Sequence, residues 1–119
     1  MRLSFVLAAA FLPASAIGQT ATGSRVVVGG APESAPICPS EDDTLALTSA
    51  IAQADNPTIV ALTSSRGCLW AWDGSSGTVL AQDSRGLVQV DFARLARLPE
   101  VRRSGIYWID GRYLQGALD

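Results

Sequence analysis

The sequence predicts an α+β fold: a small, mostly antiparallel sheet of about five or six strands, one main helix, a short second helix and one disulfide. Three observations carry this. β-branched and aromatic runs recur through the second half, separated by turn-forming Gly, Asp and Ser. One stretch, from Glu41 to Ala54, has both a cap and an apolar side. The two cysteines, Cys38 and Cys68, form an even pair in a chain that opens like an exported protein.

That opening is Met1-Arg2, an apolar stretch from Leu3 to Leu12, helix-breaking Pro13, and the small-x-small run Ala14-Ser15-Ala16. This is the pattern of a cleaved secretory signal. Ten residues at about 1.5 Å rise fall well short of a hydrocarbon core of about 30 Å, which argues against a permanent span. The expected organisation is a signal peptide at 1–16, a flexible leader at 17–24 and a single small exported domain at 25–119, secreted or periplasmic.

Arg25-Val26-Val27-Val28 predicts a short strand ended by Gly29-Gly30, and three prolines across 31–39 predict an extended connector. Ser40 is placed to cap the main helix, and Glu41, Asp42 and Asp43 suit the positive end of its dipole. Leu45, Leu47, Ala50, Ile51 and Ala54 supply its apolar side, and Asp55-Asn56-Pro57 ends it. Thr58 to Thr63 reads as a buried strand. Cys68-Leu69-Trp70-Ala71-Trp72 alternates, which puts Cys68, Trp70 and Trp72 on one face. Asp73 to Gly77 reads as a hairpin loop returning into a partner strand at Thr78–Ala81, and Leu87 to Val90 as a further strand. Asp91 is placed to cap a short helix through Leu98, with Phe92, Leu95 and Leu98 inward. Asp110-Gly111 between Ile106–Ile109 and Arg112–Leu114 predicts a type I′ hairpin.

The chain has 119 residues, nine cations, all arginine, and eleven acids. Loss of residues 1–16 removes Arg2 and no acid, leaving a net charge of −3. A mildly acidic chain is a poor partner for nucleic acid or an anionic membrane. Without Lys or His, Schiff-base chemistry and imidazole acid–base catalysis are closed to it. The far-apart cysteines suit a structural disulfide better than a redox pair, and make a poor zinc site. A closed loop of about 30 residues stabilises by roughly 3–4 kcal/mol. Neither a cofactor nor a metal is expected.

Arg25 to Gly30 resembles the activation site of trypsin-like proteases over those six residues. With no His, the triad of that family cannot be built. Asp73, Asp83, Asp91 and Asp110 all sit at turns or strand ends, where turn chemistry explains them; a hydrolase pairing two of them is the least favoured reading. No catalytic residue is assigned.

The candidate binding residues form two groups. Trp70, Trp72, Tyr107, Trp108 and Tyr113 are rigid, flat rings of the kind that line peptide or sugar sites, unless Trp70 and Trp72 simply pack in the core beside Cys68. Tyr107 and Trp108 must face opposite ways. Arg94, Arg97, Arg102 and Arg103 form a basic cluster suited to an acidic partner. The functional expectation is an exported, non-enzymatic binding or accessory protein, inhibitor-like in scale. Its partner would be another exported or envelope protein. The alternative is a carbohydrate or peptidoglycan-binding module that uses the exposed Trp and Tyr rings.

Overall fold

The computed structural model describes residues 21–29, 34–96 and 104–116. The expected signal peptide and residues 17–20 of the leader lie outside these residues. The elements are β1 (Arg25–Val28), β2 (Ser34–Ile37), α1 (Glu41–Ala52), α2 (Asn56–Ser65), β3 (Leu69–Trp72), β4 (Ser76–Gln82), β5 (Leu87–Arg94) and β6 (Gly105–Asp110), then a 3₁₀ turn (Gly111–Tyr113) and β7 (Leu114–Gly116). They form a five-stranded antiparallel sheet in the order β6-β5-β4-β1-β7 and a two-stranded ribbon of β2 and β3. With two helices and the Cys38–Cys68 disulfide, this is the α+β arrangement that the sequence predicts.

The sheet order has a geometric consequence. β6 and β7 lie at opposite edges, yet only the 3₁₀ turn separates them in the chain. In a flat sheet those edges would stand about 19 Å apart, four gaps of about 4.8 Å. Three 3₁₀ residues span about 6 Å. The sheet therefore curls until one bent strand serves both edges. Two backbone bonds pin the bend: Gly111 N–H donates to Gly86 O at 2.9 Å, and Gly29 N–H donates to Tyr113 O at 2.8 Å.

The inside of the curl is the core. Val26 and Val28 from β1, Val79 from β4, Val88, Val90 and Phe92 from β5, Ile109 from β6 and Leu114 from β7 are all buried there. The strict in–out alternation of β1 follows from the two-residue repeat of a strand. Ala35, Ile37 and Ala71 of the ribbon close one end of it. A second cluster of Leu47, Leu62, Cys38 and Cys68 sits under the helices, with Ile59 packed against it.

Helix α1 begins as the sequence predicts. Ser40 Oγ accepts from Asp43 N–H at 3.2 Å, and three acids occupy the first turn. The buried Thr44 hydroxyl donates to Ser40 O at 2.9 Å and lies 3.3 Å from Trp108 O, which fastens the helix to β6.

Several local expectations are corrected by long-range packing. Thr58–Thr63 lies in helix α2, not in a strand. Asp55 caps it, accepting from Thr58 N–H at 3.4 Å and from Thr58 Oγ1 at 2.7 Å, and Pro57 stands in the first turn, where its missing N–H costs nothing. Leu62 is buried while Val60 is 62% exposed, a helical distribution rather than a strand one. The proline-rich connector contains β2, whose Pro36 lies opposite Trp70 in the ribbon.

β4 does not return against β3. It pairs with β1 and β5, because the 73–75 turn is tied to β1 by Val28 N–H to Ser75 O (2.7 Å) and Gly74 N–H to Val28 O (3.0 Å). Phe92 to Arg94 continue β5 instead of starting a helix; Phe92 is fully buried opposite Gly105 and Gly77. Residues 97 and 98 of that expected helix lie outside the described residues. The final hairpin does not form either. A type I′ turn needs positive φ at Asp110 and Gly111, and neither has it. Asp110 instead caps the 3₁₀ turn by accepting from Arg112 N–H at 3.0 Å.

Candidate functional site

The disulfide is formed by the expected pair, and both cysteines are buried. Cys38 closes β2 and precedes the α1 cap, and Cys68 precedes β3. The bond therefore fixes the open end of the ribbon against the base of the helix pair. This fixed frame sets the walls of a cleft.

The cleft has a volume of about 450 Å³ and lies between the ribbon, α1 and the 3₁₀ turn. Ser34 and Pro36 of β2 and Trp70 of β3 form the ribbon wall. Thr48, Ile51 and Ala52 form the helix wall, and Arg112 and Tyr113 come from the 3₁₀ turn. The Arg112 guanidinium carbon stands 5.0 Å from the centre of the Tyr113 ring, and its Nε lies 3.3 Å from Asp110 Oδ2. Asp110 thus caps the turn through one carboxylate oxygen and holds Arg112 through the other.

The aromatic residues singled out in the sequence separate into different environments. Trp70 and Trp72 are half-buried, and the strand's core position is Ala71 between them. They are therefore not the core face of the sheet. Trp70 and Tyr113 meet at the cleft; Trp72 does not line it. Tyr107 packs on the core with its ring centre 6.4 Å from that of Phe92. Trp108, the next residue along the strand, faces the other way and is half-buried. Of the arginine cluster, Arg94 is exposed at the end of β5. Arg97, Arg102 and Arg103 lie outside the described residues.

The four candidate carboxylates differ in setting, though Asp83 and Asp110 both border Leu87. Asp73 and Asp91 are exposed. Asp83 accepts from the N–H groups of Arg85 and Leu87, both at 2.9 Å, and from Arg85 Nε at 3.1 Å. Asp110 serves Arg112. Asp83 and Arg85 belong to a clamp rather than to a site: the same guanidinium reaches Glu41 at 2.8 Å and Asp42 at 3.6 Å, joining the β4–β5 turn to the start of α1. Desolvation disfavours the Asp83 carboxylate, but hydrogen bonding with Glu41, with the Leu87 and Arg85 backbone and with the Arg85 side chain outweighs it and lowers the pKa. The Arg85 pKa is raised, chiefly by its hydrogen bond to Glu41.

Arg112, Ile51, Thr48 and Pro36 are cleft residues that sequence reading does not single out. The one local signal was the Asp110-Gly111-Arg112-Tyr113 run, where a cation stands next to a ring already marked as a candidate. The chain matches no known protein family, no characterised protein and no solved structure. Among the described residues no helix is long and apolar enough to cross a membrane.

Proposed function

We propose that this protein is an exported, non-enzymatic binding or accessory module, and that the cleft between Trp70 and Tyr113 receives an apolar group from a partner protein. The observation that carries the reading is the convergence of these two half-buried rings, from distant parts of the sequence, on one cavity of about 450 Å³. That volume falls within the range of small-ligand pockets, about 300–1,000 Å³. Trp, Tyr and Arg are also the residue types that dominate binding energy at protein interfaces.

The chemistry of the walls favours an apolar group over a sugar. Among the described lining residues, Pro36, Ile51, Ala52, Trp70 and Tyr113 offer mostly hydrocarbon and ring surface, while Ser34, Thr48 and Arg112 are the wholly polar side chains. A sugar brings many hydroxyls, and those left unpaired on burial cost about 1–3 kcal/mol each. The signal-like leader and the disulfide support an oxidising compartment outside the cytoplasm.

The test is co-purification of the tagged, oxidised protein from its native envelope fraction, with Tyr113→Ala and heat-denatured protein as controls. A single stoichiometric protein retained by the wild type and lost with Tyr113→Ala is the expected result. Retention on cell-wall glycan without a protein partner would replace this reading with the carbohydrate one.

A further inference from the structure

Resting on that reading, we propose that the cleft selects a carboxylate beside an apolar side chain: the apolar group enters between Trp70 and Tyr113, and Arg112 takes the carboxylate. Among the described residues Arg112 is the one charged residue lining the cavity, and none of those lining residues is an acid. Its guanidinium has two neighbours: Asp110 Oδ2 lies 3.3 Å from Nε, and the guanidinium carbon stands over the Tyr113 ring.

The terminal nitrogens of Arg112 make no hydrogen bond within the described residues. They present the two-pronged donor geometry that matches a carboxylate. The Asp110 pair does not remove this capacity. The Arg112 side chain is 61% exposed and contacts Asp110 at 3.3 Å, an ion pair of the weak, solvent-screened kind. The guanidinium therefore keeps the capacity to take a second anion through its terminal nitrogens. Ile51, an apolar side chain 39% exposed on α1, stands among the cleft walls, where an apolar neighbour of the carboxylate would cover it.

Titration of the oxidised full chain with small probes, followed by the NMR shifts of the Trp70 indole N–H and Arg112 Nε–H, tests this. N-acetyl-leucine carries a terminal carboxylate. N-acetyl-leucinamide lacks it. Acetyl-Glu-Leu-amide carries only a side-chain carboxylate. The expected result is binding of at least one acid about tenfold tighter than the amide, the scale of one charge-assisted hydrogen bond. The preference should shrink at high salt and vanish in Arg112→Gln. Comparison of the two acids tells a chain terminus from an acidic side chain. Equal binding of acid and amide would overturn the carboxylate assignment and leave the apolar cleft standing. Absence of any shift at Trp70 with all three probes, in a chain with an unchanged melting curve, would overturn both. Glucuronate binding tighter than N-acetyl-leucine would overturn the peptide assignment in favour of an acidic sugar.

Discussion

Cys38 and Trp108 exchange two backbone hydrogen bonds, Trp108 N–H to Cys38 O at 2.8 Å and Cys38 N–H to Trp108 O at 3.3 Å. The residue that carries the disulfide is thus also the residue through which the ribbon joins the curled sheet. Cys38 is bonded covalently towards β3 and hydrogen-bonded towards β6. The Thr44 hydroxyl, also within 3.3 Å of Trp108 O, adds α1 to the same junction.

Removal of the disulfide should therefore loosen the cleft as well as destabilise the fold. The bond closes a 30-residue separation, for which the chain-entropy treatment gives about 3–4 kcal/mol. The double variant Cys38→Ser, Cys68→Ser should lose about that much in denaturant unfolding, with a change in near-ultraviolet circular dichroism from Trp70 and Trp108. A loss below about 1 kcal/mol would mean that the junction is held by its hydrogen bonds and packing alone.

Gly77 stands opposite Phe92, where β4 pairs with β5. A β-carbon there would lie 2.8 Å from both Asp91 C and Phe92 Cα and nearer still to Asp91 O, all of them backbone atoms that cannot rotate away. Gly77→Ala should cost about 2–3 kcal/mol, at the upper end of ordinary overpacking. Gly74 is the control: its φ is +93° but nothing lies within 4 Å, so Gly74→Ala meets backbone strain alone, about 1–2 kcal/mol. Thermal melts that rank Gly74→Ala as the more damaging would contradict this account of the β4–β5 contact.

The clamp between Asp83 and Arg85 predicts an acid-side loss of stability. The folded-state pKa of Asp83 lies below its ordinary value of 3.8. Its contribution is therefore fully present above that value and is lost as pH falls through the lowered one. Unfolding free energies of the wild type should exceed those of Asp83→Asn at pH 7, and the gap should narrow between about pH 4 and pH 2. A gap independent of pH would assign the role of Asp83 to its hydrogen-bond geometry rather than its charge.

What was legible in the sequence was local. The Ser40 cap, the acidic first turn of α1, the β1 run and the turn at Asp83–Gly86 are all determined by groups within four residues of one another, and all appear as expected. The disulfide was legible because only two cysteines exist to pair. The misreadings share one cause. Phe92, Leu95 and Leu98 have helical spacing, yet Phe92 belongs to a strand because Gly77 leaves room for the β5 backbone and Gly105 stands opposite it. Asp110-Gly111 has the composition of a hairpin, yet the residues on either side pair with β5 and with β1, and a tight two-residue turn cannot serve both partners.

The candidate site divides the same way. Trp70 and Tyr113 could be marked individually, since this chain has only three Trp and two Tyr. Their meeting could not, because it depends on the curl that brings β7 beside β1 and on the α1 docking that supplies Ile51 and Thr48. By itself the sequence determined the α+β class, the capped helix, the covalent staple and the absence of Lys and His chemistry, all of which follow from residue identity and near neighbours. Only the tertiary structure decided which strands pair, which tryptophan reaches a cleft and that Arg112 stands at its rim. Those outcomes rest on contacts between residues far apart in the chain, whose energies no local pattern encodes.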